Sequence, residues 1–173
     1  MRQVTFRKAS ERDIPLVLYF LSELAKQHLQ TNLQDKPVVG YVANEQMIQE
    51  HLFDRPGFME IIFAMQEGDE VGFAQYTKRF SFLQGHYTMN IQELFVLPAH
   101  RNKGVGKALF GYLIQYAQTQ DCNVMEWKDD ELYSNSSYYQ EIGAQYKSHE
   151  KVFYLGVNQE KEQVERKHKL HVK

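Results

Sequence analysis

The chain has 173 residues, a single cysteine and a formal net charge of −2. This length suits one domain with a sizeable core, or at most two small ones, and one cysteine excludes an internal disulfide. The near-neutral charge gives no reason to expect a nucleic-acid or membrane partner. No apolar stretch approaches the roughly eighteen residues of a membrane span, so we expect a cytoplasmic protein.

A strand and two helices are predicted at the start of the chain. Alternating apolar and polar residues in "RQVTFRKAS" are typical of a strand. Apolar residues recur at helical spacing in "SERDIPLVLYFLSELAKQHLQ", where Ser10 or Asp13 can cap the helix. "ANEQMIQEHLFD" predicts a second helix with Asn44 as its cap, and "RPG" at 55–57 ends it.

Three strands and a long helix follow. "FMEIIFAMQEGDEVGFAQYTKRF" predicts two strands joined by a tight turn at "EGDE". "YTMNIQELFVLP" predicts a third strand, and "GKALFGYLIQYAQTQ" has the apolar spacing of an amphipathic helix.

The last predicted elements are a strand in "CNVMEW", a short helix in "SNSSYYQEIG" ended by Gly143, and two strands within 144–157. The residues after them are almost all charged, as in a solvated tail or a helix that docks on a partner. The order of the elements predicts a mixed α/β fold.

The turn 101–106, "RNKGVG", lies between a strand and a helix. A helix N-terminus presents backbone N–H groups that lack helical partners, and glycine lets a ligand approach the backbone closely. With Arg101, Lys103 and Lys107 nearby, the turn suits a phosphate or pyrophosphate group. It fits neither the GxxxxGK[ST] pattern nor GxGxxG, and an ordinary solvated basic loop remains the alternative.

The pattern R-x-x-G-x-G after the strand "ELFVLP" resembles the coenzyme A pyrophosphate loop of the GNAT superfamily of N-acetyltransferases. "FRKASERDIPLVLYFLSELAK" resembles the first strand and helix of that superfamily, and "YYQEIGA" its late "FYxxxGA" segment. The resemblance covers residues 4 to about 156. Within the superfamily, "SELAK" and "ELFVLPAHRNKGVGKAL" look closest to spermidine/spermine N-acetyltransferases, also called diamine acetyltransferases.

The resemblance implies an acyl-CoA N-acyltransferase fold, with a central mixed, mostly antiparallel sheet of about seven strands and four flanking helices. Residues 1–157 would form the acetyltransferase domain and 158–173 the charged tail. Acetyl-CoA is the implied cosubstrate. Its implied contacts are the strand residues Leu94, Phe95 and Val96, the loop residues Arg101, Asn102, Lys103, Gly104, Val105, Gly106 and Lys107, and the later residues Asn135 and Tyr138.

Two residues are candidates for proton transfer. Glu93 lies just before the loop and can accept a proton from the acceptor amine; a carboxylate paired with a cation or with substrate is the alternative. Tyr139 matches the family tyrosine that can protonate the departing thiolate, and a packed core tyrosine is its alternative. The family asparagine seven residues earlier is Leu132 here, so Asn135 is the replacement candidate, or else a helix cap.

The acceptor is expected to be a primary amine of a small molecule, such as a diamine- or polyamine-like compound or an amino acid. Its predicted contacts are Glu23, His28, Tyr76 and Gln92. His28 stands where the polyamine enzymes carry an acid, and the loop "RFSFLQGHYTMN" has none, which argues against spermidine. A monoamine, an amino acid with a side-chain amine or a peptide N-terminus fits as well. A coenzyme A-binding protein without turnover and a nucleotide-binding regulator are the rival classes.

Three further expectations concern partners and ligands. The seven histidines form no metal motif, so no metal is expected. Cys122 begins an apolar run and is predicted to be a small strand residue, with a nucleophile as the alternative. We expect a homodimer, as many members of the superfamily form pairs.

Overall fold

The computed structural model describes residues 3–31, 43–128 and 136–145. The chain forms two compact units, Met1–Lys128 and Asp129–Lys173. The predicted boundary between the domain 1–157 and the tail 158–173 lies outside the described residues and stays a prediction.

One mixed sheet runs through the first unit, in the order β1-β2-β3-β4-β5. Its neighbouring strands are antiparallel except β4 and β5, which are parallel. The strands are β1 (Val4–Lys8), β2 (Glu60–Gln66), β3 (Asp69–Ser81), β4 (His86–Val96) and β5 (Cys122–Trp127). The predicted mixed, mostly antiparallel sheet is confirmed, with five strands in the described residues. Of the range 144–157, where the last two of the seven predicted strands were expected, all but residues 144 and 145 lies outside the described residues.

The helices are α1 (Ile14–Thr31), α2 (Glu45–Ile48), α3 (Val105–Thr119) and α4 (Ser136–Glu141). A π-helical turn, Gln49–Phe53, extends α2. The side chain of Asn44 accepts a hydrogen bond from the N–H of Met47 at 2.9 Å, which confirms the predicted cap.

The turn between β2 and β3 consists of Glu67 and Gly68, both with positive φ (57° and 97°). Two consecutive left-handed residues give the type I′ turn, whose twist matches that of the flanking strands. The hairpin predicted at "EGDE" is therefore confirmed.

Two apolar clusters cover the two faces of the sheet. α3 packs on one face through Leu109 and Leu113, in a cluster that includes Met89 of β4. α1 packs on the other face through Phe20, whose ring centroid lies 6.4 Å from that of Phe95 in β4. β4 is thus packed on both sides just before the glycine-bearing turn.

An ion-pair network fixes the entry to α1. The guanidinium of Arg7 in β1 contacts Asp13 at 2.7 Å and Glu70 of β3 at 2.6 Å. Asp13 also accepts hydrogen bonds from the backbone N–H (2.7 Å) and hydroxyl (2.8 Å) of Ser10. The hydrogen bonds from Arg7 hold the pKa of the Asp13 carboxyl well below its usual range.

Candidate functional site

A β-bulge lies in the middle of β4. Gln75 of β3 pairs with Glu93, whereas the next residue, Tyr76, pairs with Ile91, so that Gln92 is the extra residue. Gln92 is exposed, and its side-chain amide donates to Asn90 Oδ1 at 2.8 Å. The bulge bends the strand just before Glu93, the predicted base.

Beyond the bulge, β4 continues past the last residue that pairs with β5. The final β4–β5 pair is Ile91 with Trp127, and no other strand of the described residues pairs with that side of β4 beyond it. The N–H of Leu97 donates to Val71 O at 2.9 Å. Along an antiparallel strand, the backbone N–H and C=O groups of successive residues point alternately toward and away from the partner strand. Because Leu97 points toward β3, the backbone groups of Leu94 and Val96 point away from β3, toward this open side.

The same alternation turns the backbone of Phe95 toward Phe73 of β3, its register partner. Of the three strand residues expected to bond the coenzyme arm, Leu94 and Val96 therefore have the suitable backbone direction. Phe95 instead contributes a buried side chain to the α1 face of the sheet.

The loop between β4 and α3 is held in a tight conformation. Asn102 has a φ of 58° and Gly104, the residue that caps α3, a φ of 82°. The first helical bond runs from the N–H of Ala108 to Gly104 O at 2.9 Å. The N–H groups of Val105 and Gly106 precede it and lie at the positive end of the helix dipole.

The space around the two glycines suits a bound group. A Cβ built on Gly104 would meet nothing within 4 Å, and one on Gly106 would lie 3.8 Å from Val96 Cγ2. The backbone of this turn can therefore be approached closely from outside, as a pyrophosphate requires. These residues, with the open side of β4 beside them, fit acetyl-CoA.

The basic side chains of the loop partly turn back onto the protein. Arg101 Nε donates to Val96 O at 2.8 Å, and its guanidinium also donates to the side chain of Gln27 in α1. Lys103 donates to Ala99 O at 2.7 Å. Lys107 is exposed on the first turn of α3.

The two acidic residues predicted for the site are Glu93, on the face of the sheet that α1 covers, and Glu23, in α1 itself. Glu93 is two residues from Phe95 and shares its strand face; it is partly buried. Glu23 in α1 pairs with Lys26 at 2.5 Å and keeps 24 % of its side chain exposed. The contact between Glu23 and an acceptor stays a prediction.

Tyr76, expected to contact the acceptor, lies in the core on the opposite, α3 face with an exposed fraction of 3 %. Its hydroxyl donates to Glu60, and its ring packs edge-on against Tyr116 at 6.0 Å between centroids. Burial and the bond to Glu60 raise the pKa of Tyr76 well above its usual range. This position gives the side chain a packing role.

In the second unit, α4 carries the predicted acid. The rings of Tyr138 and Tyr139 lie 5.9 Å apart between centroids, and the helix ends as the N–H of Ala144 donates to Tyr139 O at 2.9 Å. The roles predicted for these two tyrosines stay predictions. Asn135 lies outside the described residues, and so does the side chain of His28.

Within residues 3–31, 43–128 and 136–145, no group of three or more histidine, cysteine or acidic side chains could hold a metal ion. Cys122 is buried at the start of β5, as predicted, and burial raises the pKa of its thiol. Among the helices that the structure describes, none is long and apolar enough to cross a membrane.

Sequence reasoning missed two residues at this site. Gly72 of β3 lies beside Val96, where an added Cβ would come within 2.7 Å of Phe95 O. Gln27 of α1 is the partner of Arg101. A glycine inside a strand was the available signal for the first, since it often marks a close approach of another backbone; nothing local in the sequence indicates the second.

A bulged strand with an open side, followed by a glycine-bearing turn at a helix N-terminus, is an arrangement that suits a phosphate-bearing cosubstrate. The family model described as "Acetyltransferase (GNAT) family" matches residues 21–144. The chain belongs to this family, which uses acetyl-CoA as cosubstrate, and it is an acyltransferase. The GNAT fold inferred from the sequence is thereby confirmed; the spermidine/spermine subfamily is not.

Solved structures share the fold. An integron cassette protein from the mobile metagenome of V. cholerae aligns with a TM-score of 0.66 at 22 % identity, over 90 % of this chain and 93 % of that one. An aminoglycoside acetyltransferase from an uncultured soil metagenomic sample, in complex with sisomicin, aligns with a TM-score of 0.70 at 13 % identity, over 89 % of this chain and 96 % of that one. A ribosomal-protein-alanine N-acetyltransferase from Brucella melitensis aligns with a TM-score of 0.66 at 19 % identity, over 88 % of this chain and 100 % of that one. No curated protein sequence matches the chain.

Proposed function

We propose that this acyltransferase moves the acetyl group of acetyl-CoA directly to a primary amine of a small molecule, with both substrates bound at once. The observation that carries the proposal is the open side of β4 leading into the turn 101–107. Leu94 offers its backbone groups and Val96 its N–H to the coenzyme arm, and the N–H groups of Val105 and Gly106 are proposed to bind the pyrophosphate.

The acceptor amine must lose a proton before it can attack. An alkylammonium of pKa about 10.4 is neutral in roughly one molecule in a few thousand at pH 7, a cost of about 4–5 kcal/mol. Glu93 is the proposed acceptor of that proton, directly or through a water molecule. Its position after the bulge, on the face of the sheet covered by α1, supports this role.

Acetyl-CoA supplies an acetyl group joined through a thioester, whose carbonyl oxygen gains negative charge as the amine attacks. A backbone N–H on the open side of β4, from Leu94 or Val96, stabilises that charge. Tyr139 is the proposed donor of a proton to the departing sulfur, since a phenol of pKa about 10 suits a thiolate of similar basicity. Asn135 and Tyr138 are proposed to contact the coenzyme arm.

The proposed acceptor class rests on the small number of acidic side chains in α1 and in residues 71–92. Glu23 provides one further carboxylate in α1, while residues 71–92 contain no acid. A polyamine would need several carboxylates, so an amine with one or two cationic groups, such as a diamine or an amino acid, fits better. An amine on a peptide or protein is the second candidate, as the ribosomal-protein-alanine N-acetyltransferase that shares the fold acts on that class.

The test is a screen of amines with acetyl-CoA, read by release of free thiol. We expect release that depends on added amine, with monoamines and amino acids ahead of spermidine. A preference for short peptides would instead select the second candidate. In Glu93→Gln the rate at neutral pH should fall about 100-fold and recover partly at higher pH, where the amine is already neutral. Thiol release that no amine stimulates would contradict the proposal.

We also propose that the protein forms a homodimer. Four apolar side chains gather at the turn between β3 and β4, with Phe82 93 % and Leu83 98 % exposed. The ring of Phe80 lies 5.1 Å from Phe82 and 4.9 Å from Tyr87, between centroids. Apolar patches of this kind commonly mark association surfaces, and two copies of this turn would bury each other's aromatic side chains.

A further inference from the structure

The side chain of Arg101 donates hydrogen bonds to two separate parts of the protein beside the coenzyme loop. Its Nε donates to Val96 O at 2.8 Å, and its Nη2 donates to the side-chain oxygen of Gln27. The guanidinium carbon lies 5.3 Å from the centroid of the Phe95 ring. One side chain therefore joins the end of β4, the start of the loop and a residue of α1 that is 74 positions away in the sequence.

These contacts fix the orientation of the guanidinium. Its donors form a rigid planar fork, so two bonds in different directions determine where the group lies. Val96 O points toward the open side of β4, and Arg101 is the first residue of the turn that carries Gly104 and Gly106. Movement of Arg101 would therefore alter both the strand and the turn at the proposed coenzyme site.

We infer that Gln27 and Arg101 are positioning residues: Gln27 orients the guanidinium, which in turn holds the coenzyme loop against the open end of β4. This inference rests on the proposed function and adds a residue of α1 to the coenzyme site. The backbone of the turn 101–107 then binds the phosphate groups. Arg101 contributes by holding the strand and the turn in place, not by contacting a phosphate.

The direct role expected for Arg101 from the sequence makes the opposite prediction. If its guanidinium left Gln27 to bind the pyrophosphate, the bond to Gln27 would compete with coenzyme binding. Loss of Gln27 would then leave affinity unchanged or increase it. If Gln27 is a positioning residue, its loss decreases affinity.

The experiment is calorimetric titration of coenzyme A into the wild-type protein, Gln27→Ala, Gln27→Glu and Gln46→Ala. We expect Gln27→Ala to raise the Kd about fivefold. Gln27→Glu retains an oxygen that Arg101 can donate to, and we expect its Kd to stay within about twofold of wild type. Gln46→Ala is the matched control, since Gln46 donates to Glu50 on the exposed surface of α2; its Kd should not change.

The thermal midpoint of each variant separates positioning from simple stabilisation. A contact that only stabilised the fold would lower the midpoint of Gln27→Ala and leave the Kd of the folded protein unchanged, which would overturn the inference. An unchanged or lower Kd with a normal midpoint would overturn it too, in favour of direct phosphate binding by Arg101. A wild-type protein that does not bind coenzyme A would overturn the proposed function, and the inference with it.

Discussion

Gly72 of β3 leaves no room for a side chain beside the end of β4. A Cβ added there would lie 2.7 Å from Phe95 O, 3.2 Å from Val96 Cγ2 and 3.4 Å from Val96 Cα. The first distance is far shorter than a normal van der Waals contact, and the atom involved belongs to backbone. Gly72→Ala must therefore move β4 away from β3 at the residues that lead into the coenzyme loop.

Inserting one carbon into such a packed position costs about 1–3 kcal/mol. We expect Gly72→Ala to lower the free energy of unfolding by about 2 kcal/mol. For a chain of this length the corresponding decrease in Tm is roughly 6 °C. Because the displaced atoms belong to Phe95 and Val96, the affinity for acetyl-CoA should fall as well.

Urea denaturation, monitored by circular dichroism, measures the decrease in the free energy of unfolding, with Gly111→Ala as the matched control. Gly111 lies within α3, and a Cβ there would meet nothing within 4 Å. Replacing glycine by alanine in a helix interior gains about 0.5–1 kcal/mol, so this variant should be slightly more stable than wild type. Equal stability of Gly72→Ala and wild type would refute the close approach of the two strands.

Three other predictions follow from the ion pair, the tyrosine and the apolar turn. Asp13→Asn should cost about 1–2 kcal/mol in urea at pH 7. Arg7 lowers the pKa of Asp13 in the folded state, so the ion pair stabilises the fold at pH values above the unfolded-state pKa of about 3.9, and this stabilisation is lost on acidification. A stability difference between Asp13→Asn and wild type that did not shrink below about pH 4 would contradict the ion pair. Tyr139→Phe should retain acetyl-CoA binding while kcat falls about 100-fold, and full kcat in a folded variant would remove Tyr139 from the reaction. Replacing Phe82 and Leu83 together by serine should convert a dimer to a monomer in light scattering, whereas a wild-type monomer at micromolar concentration would exclude the homodimer.

Local features of the fold could be predicted because their causes lie within a few residues. The cap at Asn44 depends on a side chain and an N–H three positions later. The turn at Glu67 and Gly68 depends on a glycine in a short polar stretch between two apolar runs. The coenzyme loop is equally local, since strand, basic turn and helix are consecutive in the sequence.

The remaining features depend on which distant residues come together. The bulge at Gln92 exists only in relation to the register of β3, which the sequence of β4 does not contain. The sequence predicts that Tyr76 contacts the acceptor, yet its strand face directs it to Glu60 and the α3 cluster. The bond between Gln27 and Arg101 joins residues brought together by packing of α1 on the sheet.

The central claim is that the turn 101–107 binds acetyl-CoA through its backbone, and calorimetric titration of acetyl-CoA tests it most directly. Wild type should bind, and so should Gly106→Ala, because its Cβ would make only ordinary contact with Val96 at 3.8 Å. Gly106→Val places two further methyl groups beside the N–H groups of the turn and should raise the Kd at least tenfold, or about 1.4 kcal/mol. A wild-type protein that gives no heat of binding, or a folded Gly106→Val that binds as tightly as wild type, would contradict the account.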